Sequence, residues 1–136
     1  MSGIDVSYTL SATTNHTFDV AAARVRTALA EQGFGVLCEI DVQETLKRKL
    51  GVDREPYVIL GACNPQLAHG ALEIEPELGT LLPCNVVVYV ERGTTHISAI
   101  NAERMLSIVG NDALADTASE VRDRLQAVVA NAAADR

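Results

Sequence analysis

Two uninterrupted apolar runs, "YVILGAC" at Tyr57–Cys63 and "CNVVVYVE" at Cys84–Glu91, constrain this chain more than any other feature. Short runs of this kind, rich in Val and Ile and bounded by Gly, Pro and Asn, read as strands buried on both faces. The first is therefore expected to lie centrally in a sheet. Gly93 follows the second and turns the chain into "THISAIN", so these two segments should form a hairpin.

Two further segments carry a period of two. In "IDVSYTLSA", Ile4, Val6, Tyr8 and Leu10 fall on one side of a half-buried strand. In "FGVLCEIDV", Val36, Cys38, Ile40 and Val42 share a face, and Cys38 there reads as a small core side chain.

Helical spacing fills the intervals. Thr17 offers an N-cap to an apolar stripe that runs from Phe18 to Leu29 and stops at Gly33. Asp41 caps a shorter helix through Leu50, closed by Gly51. Asn64-Pro65 is a strong helix start, since Asn caps and Pro has no N–H to lose in the first turn. That helix should reach about Glu75, where Pro76 ends it. A short helical turn is expected over residues 103–108. The last helix is the clearest: Asp112 starts it, and Leu114, Ala118, Val121, Leu125, Val128 and Ala132 form its stripe.

The element order is β-α-β-α-β-α-β-β-α. A chain of 136 residues without repeat or linker is one domain, 1–136. The expected fold is α+β: a mixed sheet of about five strands with helices mainly on one face. One-sided helices would leave an apolar patch too large for a monomer, so a homodimer is expected.

A formal charge of −7 argues against the concentrated positive surface that nucleic acids and anionic membranes require. The basic run Lys47-Arg48-Lys49 reads as the solvated face of a helix. No tryptophan is present and aromatic residues make up only 4%, which weakens base-stacking or sugar-stacking roles. No apolar stretch has membrane-spanning length and the start has no signal-peptide pattern, so a cytoplasmic location with reduced thiols is expected.

Candidate chemistry gathers around Cys63 and Cys84. Cys63 ends an apolar run beside a helix start, where unpaired N–H groups favour thiolate. Cys84 opens the next strand, and antiparallel neighbours would bring the two ends together. A thiol-dependent enzyme or redox protein would use Cys63 as nucleophile, Cys84 as resolving thiol and His69 as base, although the spacing is not the close C-x-x-C form. A metal site would use Cys63, Cys84 and His69, at a separation unlike any zinc finger. A small-ligand pocket would use Cys63, Asn64, Cys84 and Asn85, with the helix-start amides toward an anionic group. Against all three stands simple packing of inert thiols. Glu73, Glu75 and Glu77 read as solvated carboxylates. Dinucleotide, phosphate-loop, serine-hydrolase and zinc-protease motifs are absent from the sequence.

Across "LGACNPQLAHGALEIEPELGTLLPCNVVVYVE" the sequence resembles the DUF302 family of small, mainly prokaryotic domains of uncharacterised function. The residues that carry the likeness are Gly61, Cys63, Asn64, Pro65 and Ala68, then Leu72, Pro76, Gly79, Leu82, Pro83, Cys84 and Asn85. The resemblance implies a compact α+β fold and a homodimer. It implies no activity, cofactor or catalytic residue. Cys63 and Cys84 fall in the family-like pattern and Cys38 does not. The leading expectation is a non-enzymatic, homodimeric module that binds a small molecule or metal ion near Cys63 and Cys84. A thiol enzyme or a structural, assembly role are the alternatives.

Overall fold

The computed structural model describes residues 7–136. Five strands form one sheet: β1 (Thr9–Thr14), β2 (Gly35–Asp41), β3 (Tyr57–Cys63), β4 (Cys84–Glu91) and β5 (Thr94–Ile100), in the order β1-β5-β4-β3-β2. The helices are α1 (Phe18–Glu31), α2 (Val42–Leu50), α3 (Pro65–Ile74), α4 (Ala102–Ser107) and α5 (Ala115–Ala133). The element order expected from the sequence is the one found. Ile4 and Val6 of the first expected strand lie outside the described residues.

All four strand pairings are antiparallel. The sheet expected as mixed has no parallel neighbours because α1 carries the chain from one edge, β1, to the other, β2. The remaining strands then return inward side by side. The middle strand is β4, and β3 stands next to the β2 edge. The apolar run of β3 thus signals a half-covered strand: Val58, Leu60 and Ala62 are buried, whereas Tyr57, Ile59 and Cys63 are half-buried.

The core lies between one sheet face and helices α1 and α5. Leu60, Val86, Val88 and Ile97 from the strands meet Val25, Leu29, Leu125 and Val128 from the helices, all fully buried. Every residue of the sequence-derived stripe on α5 is buried, with Leu114 placed in the 3-10 turn that precedes the helix. Each helix end is tied by an arginine of the other helix. Arg24 of α1 donates to the carbonyls of Asn131, Ala132, Ala134 and Arg136, at 2.7–3.0 Å. Arg124 of α5 donates to the Gln32 carbonyl that caps α1, at 2.9 Å. A smaller cluster of Ala71, Leu78, Leu106, Leu114 and Ala118 holds α3 and α4 to the start of α5. Helix α3 ends before Pro76 as expected, and Leu78 comes from a separate 3-10 turn over Pro76–Leu81.

Caps follow the sequence closely. Thr17, Asp41 and Asn64 each accept from a backbone N–H of the first turn of α1, α2 and α3. Gly51 closes α2 in the left-handed region, at φ 69°.

The β2 segment corrects one expectation. All seven of its residues are exposed, Cys38 among them, and Val42 opens α2 instead of extending the strand. Leu37 is an extra residue in the ladder, because Val36 pairs with Ala62 and Cys38 with Gly61. Alternation shows which side chains share a face. It does not show that something covers that face, and at the β2 edge no helix buries it, whereas Leu10 of the β1 edge is in the core with α5. The basic run on α2 is exposed as expected, with Lys47 paired to Asp53 and Arg48 to Glu44. Among the described residues, no helix is long and apolar enough to cross a membrane.

Candidate functional site

The strand ends β3 and β5 and the start of β4 meet at one end of the sheet, and there the two family-like cysteines lie. Cys84 pairs with Ala62, so Cys63 is the next residue along the neighbouring strand. Both border a cavity of about 40 Å³, together with Asn64, Leu67, Pro83 and Met105. That volume holds about one or two waters. Its lining is almost wholly apolar, so it is poorly suited to a polar ligand. Alternation sets Cys63 with Tyr57, Ile59 and Gly61 on the uncovered side of β3, and Cys84 with Val86 on the helix side.

Burial pushes the Cys84 thiol up from its ordinary 9.0 to about 11, and the nearby Cys63 adds to the rise. A thiol of that acidity stays protonated at neutral pH and is a poor nucleophile or ligand. Asn64 is nearly buried; its side-chain carbonyl accepts from Leu67 N–H at 3.2 Å and so serves as the helix cap. His69 is exposed on α3 and does not border the cavity. Among the described residues no three His, Cys, Asp or Glu side chains come together in a way that could hold a metal ion, so Cys63, Cys84 and His69 do not form a ligand set.

A larger feature occupies the other face of the sheet. The α1 and α5 core does not reach it, and a concavity of about 880 Å³ opens over β1, β5, β4 and β3. Asn85, already singled out in the sequence, lies on it, as do Tyr8, Tyr57 and Tyr89. These are all three tyrosines of the chain. Cross-strand register builds a column: Tyr57 opposes Tyr89, which opposes His96. The rings stack at centroid distances of 5.2 and 4.7 Å, and the Arg54 guanidinium lies 5.0 Å from the Tyr57 centroid. At the far side a hydroxyl pair, Ser11 and Ser98, meets at 2.6 Å, and Thr9 joins Ser11 at 3.1 Å. Desolvation raises the Tyr89 phenol, with the Glu91, Tyr57 and Tyr8 charges adding to it, so it remains a hydrogen-bond donor.

The sequence suggests a bare face for self-association but not this aromatic and polar concavity, because its residues come from four strands far apart in the chain. The signal available was the alternation within β4 and β5, which sets Asn85, Val87 and Tyr89 on one side and His96, Ser98 and Ile100 beside them. Spacing within one strand cannot show which strands become neighbours.

A single antiparallel sheet with α1 and α5 packed on one face, two cysteines meeting at one end and an aromatic-bordered concavity on the other face defines a small α+β domain. The chain belongs to the DUF302 family, described as a domain of unknown function, whose pattern matches residues 10–132. It is similar to the crystal structure of an uncharacterized conserved protein DUF302 from Bacillus stearothermophilus, at 32% identity and a TM-score of 0.88, over 93% of this chain and 99% of that one. No curated protein matches the chain.

Proposed function

We propose that this protein is a non-enzymatic module that binds a small molecule on the open face of its sheet. One observation carries the reading: in a chain with few aromatic residues, all three tyrosines border the same concavity, while both phenylalanines pack against the core. Its volume of about 880 Å³ is within the range of small-molecule sites, and an apolar floor with a few convergent polar groups is the usual composition of such sites. The small apolar cavity between Cys63 and Cys84 offers less, since about 40 Å³ is room for little more than a water or two. Thiol chemistry has weaker support as well, since Cys84 is held protonated and His69 stands in solvent.

Tyrosine fluorescence tests the reading directly, because the chain has no tryptophan to mask it. Screening a metabolite library should find compounds that change this emission and shift amide resonances of β4 and β5. A library that perturbs only α3 and the Cys63 end would move the site back to the thiols.

Self-association is the second reading, favoured by the half-buried Ile59, Val87 and Ile100 on the uncovered face. Sedimentation equilibrium decides it. A dimer through this face should dissociate in a Val87→Lys variant that keeps its circular dichroism.

A further inference from the structure

We infer that the ligand of the open face is a small carboxylic acid with a compact apolar body, and that Arg54 holds its carboxylate. The inference rests on the binding reading above and adds the chemistry of the ligand. Arg54 is the one cation among the described residues that border the concavity. Its Nε donates to the Glu55 carbonyl at 3.2 Å and its flat face lies over Tyr57, so the side chain is held in place from two sides. Both Nη nitrogens are left without a protein acceptor among the described residues, an open planar fork of the kind a carboxylate fills with two parallel hydrogen bonds.

Glu55, next in sequence, is not its counter-ion. The Glu55 carboxylate accepts from the backbone of Arg92 at 2.9 Å and of Gly93 at 3.2 Å, closing the β4–β5 hairpin. Glu91 also borders the concavity and forms no ion pair with Arg54. With Glu55 and Glu91 bordering the same concavity, a monoanion meets less repulsion than a dianionic phosphate. Val87 and Ile100 supply the apolar floor beyond Arg54, and the Ser11–Ser98 hydroxyls with Asn85 border the far side. Monoanion at one end and apolar body in the middle are thus specified by separate groups.

The test titrates the protein with hexanoate, cyclohexanecarboxylate and benzoate, each beside its primary amide and its phosphate-bearing analogue, and follows amide resonances of β3 and β4. The acids should bind at least about tenfold more tightly than the amides. Arg54→Gln should reduce the acids to the amide level, Arg54→Lys should retain part of the difference, and Glu91→Gln should tighten acid binding. Each variant should keep the wild-type melting temperature, since these side chains are exposed. Amides that bind as well as acids, with Arg54→Gln silent, would overturn the carboxylate and leave the open-face site standing. Tighter binding of the phosphate analogues would overturn the monoanion. If no compound perturbs β3 or β4, the binding reading falls with the inference.

Discussion

Cys38 lies across the β2–β3 ladder from Gly61 with its Sγ 2.6 Å from the point where a β-carbon on residue 61 would stand. The Pro83 ring lies 2.9 Å from the same point and the Asn85 side-chain oxygen 3.6 Å. Residue 61 is therefore a glycine because Cys38 of β2 and Pro83 just before β4 fill its side-chain volume. Gly61→Ala should destabilise the fold by about 1–3 kcal/mol, the usual cost of overpacking. Because the cysteine can swing aside and the proline ring cannot, Cys38→Ala should recover only part of that loss. Urea denaturation of the four members of the cycle measures the coupling; strictly additive losses would contradict the contact.

Arg24 should be worth more than an ordinary surface arginine. One guanidinium serves four carbonyls beyond or within the last turn of α5, including Asn131 at 2.9 Å and Arg136 at 2.7 Å. Arg24→Ala should cost about 1–3 kcal/mol, and hydrogen exchange should accelerate first in residues 129–134. Loss of protection spread evenly over α1 and α5 would point to packing instead of capping.

The Cys84 thiol gives a signed pH dependence. Its folded-state pKa of about 11 lies above the ordinary 9.0, so the native state holds the proton after the unfolded chain has released it. The stability this contributes is whole below about pH 9 and is lost as pH rises toward 11. At ~1.4 kcal/mol per pH unit the loss is roughly 2–3 kcal/mol. The difference in unfolding free energy between wild type and Cys84→Ala should narrow over that interval. A constant difference would show that the thiol is not in so dry a site.

Alkylation of the three cysteines should follow exposure. Cys38 is exposed, Cys63 is partly covered and Cys84 is buried. Iodoacetamide at neutral pH, read by peptide mass, should modify Cys38 first and Cys84 last, the latter only on the timescale of local unfolding. Early labelling of Cys84 would reopen the thiol-enzyme reading.

Asn64 offers a local check on the α3 start. Its side chain caps Leu67 and is nearly buried, so Asn64→Ala should cost about 1–2 kcal/mol, and Asn64→Asp or Asn64→Ser less. Thermal denaturation ranks the three; an Ala variant as stable as Ser would mean that the cap contributes little.

Element existence and order were legible because they depend on neighbours in sequence: the caps Thr17, Asp41 and Asn64, the Gly51 stop, the β4–β5 hairpin and the α5 stripe all act within a turn or two of chain. The convergence of Cys63 with Cys84 followed only in part. Strand adjacency could be suspected from two apolar runs, but the dryness that holds Cys84 protonated comes from residues far away in the chain. Cys38 failed for the same reason, since an apolar alternation was present and no helix came to cover it.

The sequence by itself determined which segments become strand or helix and where each stops, because backbone preference and capping are local. The tertiary structure alone decided that β2 is an exposed edge, that Tyr8, Tyr57 and Tyr89 border one concavity, and that Arg54 lies over Tyr57 there. Those facts depend on which strands pair across the sheet and which face the helices cover, and both are settled only when apolar surface from the whole chain is buried together.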